Sequence, residues 1–289
     1  MTEGRVLKGV EFARTDGPAA RPLLLDLYLP EPDENGAGIR PGTGETLRPA
    51  IVHFHGGGWR VGTRSSLGPV ADGFGLSPFE VLTEAGFVVA SADYRLSAEA
   101  HYPAQLHDAQ AAVRWLRNNA AGYGVDPNRI YAWGDSAGGH LASLVGLIGG
   151  DSPVAAVAAW YPPTDLFRMG EQALPNAVAR ATDPASREEQ LIGAVLAEEP
   201  QKAAAASPVT YVRPGAPPFL LVHGTADRFV PAAQSETLAA ELEKAGADVE
   251  LLLLDGADHM WSLPDGSPAA AEKALAATVS FFRRQAGVP

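Results

Sequence analysis

Residues 129–140 read RIYAWGDSAGGH, and this stretch decides the fold. Its first half has the apolar pattern of a buried strand, and its second half opens a helix-like run of small and apolar residues that continues to Ile148. Ser136 lies between them, flanked by Gly134 and Gly138. A turn this sharp strains the backbone at the serine, and the glycines remove side chains that would clash. The pattern predicts a nucleophilic hydroxyl; the plainer interpretation is a serine that only caps the helix.

The same alternation of strand and helix extends along the chain on both sides of this turn. It is typical of an α/β fold with a mostly parallel central sheet flanked by crossover helices. We expect a single domain over residues 1–289, whose first strand is antiparallel to the rest. The predicted strands are 23–29, 50–54, 86–90, 129–133, 154–160, 219–223 and 248–254, and the predicted helices are 105–118, 137–148, 233–245 and 269–285.

Two segments interrupt the alternation. Residues 31–48 are rich in glycine and proline and lack apolar periodicity, which predicts a loop. Residues 162–210 form a connection longer than an ordinary crossover, with helix-compatible sequence at 185–199. Because insertions at the carboxyl edge of a parallel sheet tend to wall the ligand crevice, we expect a small, lid-like helical insertion there.

Composition excludes several classes of partner. The formal net charge of −12 argues against nucleic acid and against an anionic membrane surface, since both are bound through lysine and arginine. The N-terminal sequence shows no secretion signal, and no run approaches the roughly 18 apolar residues of a spanning helix. We therefore expect a cytoplasmic protein that acts on a small molecule.

The chain has no cysteine, which excludes disulfides, thiolate metal sites and a cysteine nucleophile. A metal would have to use other ligands. His53 and His55 share one face of a predicted strand, but the sequence indicates no third ligand near them. We therefore expect no metal site.

A glycine-rich loop, His55–Trp59 (HGGGW), follows the predicted strand 50–54. Three consecutive glycines allow backbone amides to approach a substrate oxygen that becomes negative during acyl transfer. We predict the amides of Gly57, Gly58 and Ala137 as the donors. The alternatives are a flexible turn or a phosphate-binding loop, and the latter needs a different glycine spacing or a following lysine.

Serine is a poor nucleophile until a neighbouring base takes its proton. In strand–turn–helix hydrolases the order along the chain is serine, then acid, then histidine. Of the seven histidines, only His223 and His259 lie well beyond Ser136. His259 follows directly after a predicted strand and is the predicted base. His223 closes a strand just before a glycine, so we interpret it as a residue that shapes the turn.

The acid is expected between these two histidines. Asp227 lies just past the end of the predicted strand 219–223, at the edge where a parallel sheet presents its chemistry. Its role would be to hold the imidazole of the base in the required tautomer. Asp255 and Asp258 are rivals, but both are so close to His259 in sequence that they would have to fold back on it.

Together these residues resemble the bacterial hormone-sensitive-lipase-like esterases of the α/β-hydrolase fold and, more closely, the small acetylxylan and feruloyl esterases. The resemblance implies a serine carboxylesterase without metal or organic cofactor, with Ser136, Asp227 and His259 as its triad and the loop after the first parallel strand as its oxyanion hole. The resemblance rests on Leu23–Pro30, His55–Trp59, Asp93–Leu96, Tyr102–Gln105 with Asp108, Gly134–His140, Gly224–Asp227 and His259.

The sequence also departs from the hormone-sensitive-lipase-like pattern. It reaches its first predicted strand by Leu23, without a long N-terminal helical cap. Ser97-Ala98-Glu99 stands where those enzymes carry Ala-Pro-Glu, and the run 223–227 lacks their Asp-Pro-Leu-x-Asp pattern. Substrate preferences set by the cap therefore do not carry over. We expect Asp93–Leu96 to brace the oxyanion loop through a buried Asp–Arg arrangement, and Asp135 to accept a hydrogen bond beside the nucleophile.

Five large side chains lie next to these catalytic elements and are candidate substrate-binding walls: Trp59, Trp160, Tyr161, Met260 and Trp261. Aromatic walls suit an apolar acyl or alcohol group, although such residues also pack in cores. No long amphipathic lid is evident, which favours short-chain esters. The alternatives are a carbohydrate acetyl or feruloyl esterase, an arylformamidase-like amidase with a similar glycine loop, and an inactive hydrolase fold used as a binding module.

Overall fold

The computed structural model describes residues 5–17, 20–31, 47–68 and 77–288. Within them, an eight-stranded sheet is flanked by helices. The strands are β1 (Arg5–Arg14), β2 (Pro22–Leu29), β3 (Arg48–Phe54), β4 (Val88–Ala92), β5 (Val125–Asp135), β6 (Val157–Trp160), β7 (Phe219–Gly224) and β8 (Val249–Leu254). The α-helices are α1 (Pro78–Glu84), α2 (Ala104–Asn118), α3 (Ala137–Ile148), α4 (Met169–Gln172), α5 (Arg187–Ile192), α6 (Pro200–Ala205), α7 (Ala233–Lys244) and α8 (Ala269–Ala286).

The strand order across the sheet is β1-β2-β4-β3-β5-β6-β7-β8. Strand β2 pairs antiparallel with both β1 and β4, and every pair from β4 to β8 is parallel. The predicted α/β-hydrolase fold with a mostly parallel sheet is thus confirmed. Parallel strands end at the same edge of the sheet, so the loops after β3, β5, β6, β7 and β8 meet there.

Each face of the sheet carries its own apolar core. Side chains alternate between the two cores along β5, where Ile130 and Ala132 belong to one and Tyr131 and Trp133 to the other. The first core includes apolar residues of α2, α3 and α7, and the second includes those of α1 and α8. This burial on both faces explains why the central strands read as continuous apolar runs in the sequence.

The structure corrects the prediction that the first strand begins at Leu23. Strand β1 precedes it, and among the described residues it is the edge strand, paired with β2 alone. Most of its side chains are exposed or half-buried, and charged residues such as Lys8 and Glu11 break the apolar pattern. Its register with β2 shifts twice, between Leu7 and Val10 and between Glu11 and Ala13. Because one face of β1 contacts solvent and its pairing with β2 is irregular, its sequence shows little apolar periodicity.

Helix α1 was also absent from the prediction, although its start carries a recognisable signal. Ser77 accepts a hydrogen bond from the Phe79 amide, and its own amide donates to the Glu80 carboxylate, which forms a capping box. The remaining predicted elements are present with ends that shift by a few residues. Of the predicted loop 31–48, residues 32–46 lie outside the described residues, and Arg48 already belongs to β3.

Three short helices, α4 to α6, lie between β6 and β7, within the segment 162–210. Helix α5 falls inside the stretch 185–199 that the sequence marked as helix-compatible. It begins at Ser186, whose side chain accepts a hydrogen bond from the Glu189 amide. The helical content is as expected, and the lid-like role of this segment stays a prediction.

Neighbouring backbone fills the space around the glycines of the turn between β5 and α3, so a side chain at these positions would clash. A Cβ atom at Gly138 would lie 1.8 Å from the carbonyl oxygen of Phe54, and one at Gly134 would lie 2.3 Å from the backbone of Gly138. Helix α3 can therefore approach β3 only with glycine at 138. This approach brings the start of α3 next to the loop that follows β3.

We predict that Gly138→Ala lowers the free energy of unfolding by at least about 2 kcal/mol. Alanine in a helix normally stabilises by up to about 1 kcal/mol relative to glycine, but here backbone must move to admit the methyl group. Urea denaturation of the purified variant measures the change. The matched control is Gly122→Ala, where a Cβ would meet nothing within 4 Å. Equal stability of both variants would contradict the packing described here.

Candidate active site

Ser136 lies at the tip of the turn, with φ 53° and ψ −117°. A positive φ costs a non-glycine residue of the order of 1–3 kcal/mol and persists only where the surroundings enforce it. The Ser136 amide donates to the carbonyl of Trp160, which ties the turn to β6. The strain predicted from the sequence is thus present, and it fixes the direction of the hydroxyl.

The structure brings Ser136, His259 and Asp227 together, although they are spread over more than a hundred positions. Nε2 of His259 lies 3.1 Å from Oγ of Ser136, and Nδ1 lies 2.7 Å from Oδ2 of Asp227. The carboxylate can only accept, so Nδ1 carries the proton and Nε2 presents a lone pair to the serine hydroxyl. All three residues are less than a tenth exposed.

Asp227 is held ionised by its neighbours. Its Oδ1 accepts hydrogen bonds from the amides of Phe229 and Val230, both at 2.8 Å. Burial would raise the pKa of this carboxyl, but interactions with His223 and His259 outweigh burial and lower the pKa well below its usual range. The group is therefore an anion at neutral pH, as an orienting acid requires.

His223 has a larger role than its position in the sequence indicated. Its Nε2 lies 2.8 Å from the carbonyl of Val230 and 3.4 Å from Oδ2 of Asp227, so this nitrogen carries the proton. Its Nδ1 accepts from the hydroxyl of Ser235. His223 thus closes the turn after β7, as predicted, and also faces the carboxylate of the candidate triad.

The rival acids face other partners. Asp258 accepts from the amides of Arg228 and His259 and pairs with the Arg228 guanidinium. Asp255 accepts from the hydroxyl of Thr225. In the described part of the chain neither carboxylate hydrogen-bonds the imidazole of His259, whereas Asp227 hydrogen-bonds its Nδ1.

The glycine loop after β3 leaves its amides open. Gly57 and Gly58 have φ of 111° and 60°, and a Cβ at Gly57 would lie 2.1 Å from the carbonyl oxygen of Val61. Within residues 5–17, 20–31, 47–68 and 77–288, the amides of Gly57, Gly58 and Ala137 donate to no acceptor. Backbone donors without an internal partner suit a substrate oxygen.

Two neighbours hold this loop in place. Oδ1 of Asp135 accepts from the Gly56 amide at 3.0 Å, so Asp135 is the acceptor that the sequence predicted. The hydroxyl of Tyr94 donates to the His55 carbonyl, and the two rings stack at 4.3 Å. The loop is therefore fixed from both sides before any substrate binds.

The expected Asp–Arg brace is wrong in its detail. Asp93 pairs with Arg64, and Arg95 pairs with Asp108, so the two residues do not pair with each other. The side chain between them, Tyr94, supplies the direct contact to the oxyanion loop. Sequence spacing could not distinguish these arrangements, because neighbouring residues in an irregular segment point in different directions.

Trp59 is anchored in the interior, where it is 1% exposed. Its Nε1 donates to Nδ1 of His140, 3.3 Å away, and Nε2 of His140 lies 2.6 Å from the carbonyl of Ala206. His140 therefore joins the oxyanion loop, helix α3 and the end of α6. Burial lowers the pKa of His140 from 6.5 to about 4, so the ring is neutral at physiological pH.

The other candidate wall residues divide into two groups. Trp160 and Trp261 lie in the core at ring-centroid distance 5.5 Å, and Nε1 of Trp160 donates to Thr278 of α8. The Tyr161 ring is 4.5 Å from the imidazole of His259, and Met260 is 38% exposed. Tyr161 thus lies beside the triad but is buried in the same core as the two tryptophans, whereas Met260 is partly open to solvent. Substrate contact by any of the five stays a prediction.

Sequence reasoning missed two side chains at this site. The ring of Phe229 lies 5.3 Å from that of His259, and the guanidinium of Arg187 lies 5.5 Å from the centre of the Phe229 ring. Phe229 falls two residues after the candidate acid, which is the one available signal for it. Arg187 comes from the long connection after β6, where nothing in the local sequence marks it.

His53 of β3 and His55, which follows the strand directly, each hydrogen-bond a protein group through Nδ1. Nδ1 of His53 lies 2.9 Å from the hydroxyl of Ser91, and Nδ1 of His55 lies 2.7 Å from the carbonyl of Gly56. Burial lowers the pKa of both rings. Across the described ranges, no three His, Asp or Glu side chains are grouped to hold a metal ion, and no helix has the length and apolarity to cross a bilayer.

Comparison with known proteins places the chain in a family. A family model described as BD-FAE matches residues 25–242. The chain belongs to the BD-FAE family. Its relative LipQ, an esterase of Mycobacterium tuberculosis, is 32% identical over 263 residues, which are 86% of this chain and 56% of LipQ. The chain spans about half the length of the curated relatives it matches.

Solved structures agree with the family over nearly the whole chain. A truncated carbohydrate esterase from gut microbiota has a TM-score of 0.78 and 28% identity, covering 99% of this chain and 98% of that protein. A thermophilic esterase from Thermogutta terrifontis has a TM-score of 0.72 and 29% identity, covering 98% and 92%. The resemblance to small esterases drawn from the sequence is therefore confirmed for this BD-FAE member.

We predict that His140 makes the protein less stable in acid. Between pH 6.5 and 4 the unfolded chain binds a proton at this ring that the folded chain excludes, so the free energy of unfolding falls as pH drops. From pH 7 to pH 5 the loss from this ring is about 2 kcal/mol. Urea denaturation at both pH values should show a smaller loss in His140→Gln than in the parent.

The control for this prediction is His107→Gln, because His107 lies on α2 with an exposed side chain. It should keep the parent's pH dependence. An unchanged difference between pH 7 and pH 5 in His140→Gln would show that folding does not lower the pKa of this ring.

Proposed function

We propose that this BD-FAE protein is a serine carboxylesterase that hydrolyses short-chain carboxylic esters through an acyl-enzyme intermediate. Ser136 is the nucleophile, His259 the general base and acid, and Asp227 the residue that orients the imidazole. The observation that carries the proposal is the chain of hydrogen bonds from Asp227 through His259 to Ser136, at 2.7 and 3.1 Å.

The first half of the reaction forms the acyl-enzyme. Oγ of Ser136 attacks the ester carbonyl carbon while Nε2 of His259 takes the hydroxyl proton. The carbonyl oxygen becomes an oxyanion, which accepts from the amides of Gly57, Gly58 and Ala137. Each such donor contributes about 3 kcal/mol to transition-state stabilisation. The imidazolium then gives its proton to the leaving alkoxide, and the alcohol departs.

The second half returns the enzyme to its starting state. Water attacks the acyl carbon, His259 takes one of its protons, and a second oxyanion forms in the same hole. When it collapses, the bond to Ser136 breaks, the serine regains its proton from His259, and the carboxylic acid leaves. Asp227 stays ionised throughout, because its role is to stabilise the imidazolium and hold its tautomer.

Relatives support this chemistry. LipQ is named an esterase, and the Thermogutta terrifontis esterase has been solved phosphorylated by paraoxon and with propionate bound. Organophosphates of this kind phosphorylate an activated nucleophile, and propionate is a short acid of the size proposed for the acyl group. The proposal for this chain combines these relatives with its own hydrogen-bonded Ser136.

We further propose that the chain is one α/β-hydrolase domain in which residues 162–210 cover the site like a lid. Ser136 and His259 are each 7% exposed, and Arg187 of this segment packs over Gly58. The net charge of −12 supports a small-molecule ester as the partner, because nucleic acid and anionic membrane surfaces are bound through positive charge. We propose that the protein acts on this ester in the cytoplasm.

We expect Ser136→Ala to lower kcat on p-nitrophenyl acetate by at least about a thousandfold, because the acyl-enzyme cannot form. Asp227→Asn should also lower kcat strongly, since its amide favours the wrong imidazole tautomer.

Paraoxon should add a diethyl phosphate mass to the parent protein and not to Ser136→Ala, as measured by mass spectrometry. Ser152→Ala, a buried serine at the far end of α3, is the control and should be labelled like the parent.

We also expect p-nitrophenyl acetate and butyrate to be hydrolysed with higher kcat/KM than the decanoate. The triad is enclosed by Tyr161, Phe229 and the segment over Gly58, so space beside the acyl carbon is limited. Initial rates on the series of esters measure this order. The reverse order would contradict a short-chain specificity.

A carbohydrate acetyl or feruloyl esterase is the second candidate. The TM-score of 0.78 to a gut carbohydrate esterase, over 99% of the chain, favours it. Acetylated xylo-oligosaccharide in the same substrate panel distinguishes this candidate from a general short-chain esterase. If acetate is released from it with a higher kcat/KM than from p-nitrophenyl acetate, a sugar ester is the better substrate. Formanilide in the panel tests the arylformamidase-like alternative in the same way.

A further inference from the structure

Arg187 lies next to two residues of the candidate site, Gly58 and Phe229, and among the described residues one nitrogen of its guanidinium has no hydrogen-bond partner. Arg187 opens helix α5, and its Cδ lies 2.7 Å from where a Cβ on Gly58 would be. Its guanidinium carbon lies 5.5 Å from the centre of the Phe229 ring, which in turn lies beside His259. Arg187 therefore lies between Gly58 of the oxyanion loop and the Phe229 ring next to the predicted base.

The guanidinium is partly withdrawn from water. The Arg187 side chain is 16% exposed, and its Nη2 is buried with no hydrogen-bond partner in the described part of the chain. Buried guanidinium groups are normally satisfied by acceptors, because an unpaired charged donor costs free energy. A guanidinium nitrogen without an acceptor, next to Gly58 and Phe229 of the candidate site, points to an acceptor that the ligand supplies when it binds.

Glu188, the acid that lies beside this guanidinium in the described part of the chain, does not fill that role. Glu188 Oε1 lies 4.0 Å from Nε of Arg187, at the limit of an ion pair, and its Oε2 has no hydrogen-bond partner among the described residues. Burial raises the pKa of Glu188, which weakens its compensation of the cation further.

We infer that this esterase acts on esters that carry a carboxylate, and that Arg187 is the residue that binds that carboxylate. A planar guanidinium matches a carboxylate with two parallel N–H donors, and stacking on the face of Phe229 fixes its plane. The local positive charge contrasts with a chain of net charge −12, which otherwise repels anions. The inference rests on the proposed function and names its substrate class.

Two matched pairs of esters test the inference, each differing only by carboxylate against carboxamide. Monoethyl glutarate and ethyl glutaramate place the group on the acyl side. 4-Acetoxybenzoate and 4-acetoxybenzamide place it on the alcohol side. Hydrolysis is followed by liquid chromatography, and the readout is the ratio of kcat/KM for the carboxylate ester to that for its amide partner.

In the parent enzyme this ratio should exceed one for at least one pair, which also identifies the side that faces Arg187. Arg187→Gln should lower it by at least about tenfold, through KM, since a charge-assisted hydrogen bond is lost. Arg187→Lys should keep part of the preference. Arg168→Gln, which removes an exposed charge from the same segment, is the control and should leave the ratio unchanged.

A ratio below one for both pairs in the parent would overturn the inference, and this result needs no variant. A ratio that Arg187→Gln leaves unchanged would also overturn it, and would assign Arg187 to support of Gly58 alone. Failure of the proposed function looks different, because the parent would then hydrolyse neither member of either pair and would not react with paraoxon.

Discussion

The close approach of helix α3 to strand β3 is the constraint on which the site depends. The carbonyl oxygen of Phe54 occupies the space of a side chain at position 138, so helix and strand meet backbone to backbone. This contact sets the start of α3 beside the loop after β3. The amide of Ala137 therefore lies at the end of α3 that faces the loop of Gly57 and Gly58, and Oγ of the strained Ser136 lies 3.1 Å from Nε2 of His259.

Around this contact, buried polar groups are arranged as pairs that fix each other. Asp135 holds the Gly56 amide, Tyr94 holds the His55 carbonyl, and His140 holds both Trp59 and the end of α6. The oxyanion loop is thus positioned by neutral rings and one carboxylate instead of by mobile surface charges. Such preorganised donors need no rearrangement as negative charge develops on a substrate, which is the main electrostatic requirement of acyl transfer.

Much of this could be predicted from the sequence because the signals are local. The glycine spacing around Ser136, the glycine run after β3 and the order of acid and histidine along the chain each reflect a backbone requirement at one place. Strand β1 and the salt-bridge partners of Asp93 and Arg95 could not be predicted, because they depend on contacts that are not local in sequence. Edge-strand pairing and salt-bridge choice are decided by residues distant in sequence, such as Arg64 and Asp108.

Arg187 and His223 show the same limit at the site itself. Arg187 arrives from a connection whose path no local pattern specifies, and the second contact of His223 with Asp227 depends on how the turn after β7 folds. In both cases the residue type is visible in the sequence but its neighbour is not. Three-dimensional placement was needed to connect a cation in the insertion with the loop after β3.

The outer strand β1 has a consequence for the behaviour of the molecule in concentrated solution. An uncovered sheet edge is a template on which another chain can add a strand and begin aggregation. Here that edge carries Arg5, Lys8, Glu11 and Arg14, and its two breaks in register interrupt the regular row of free donors and acceptors. The same irregularity that hides β1 from sequence reading protects this side of the sheet from intermolecular pairing.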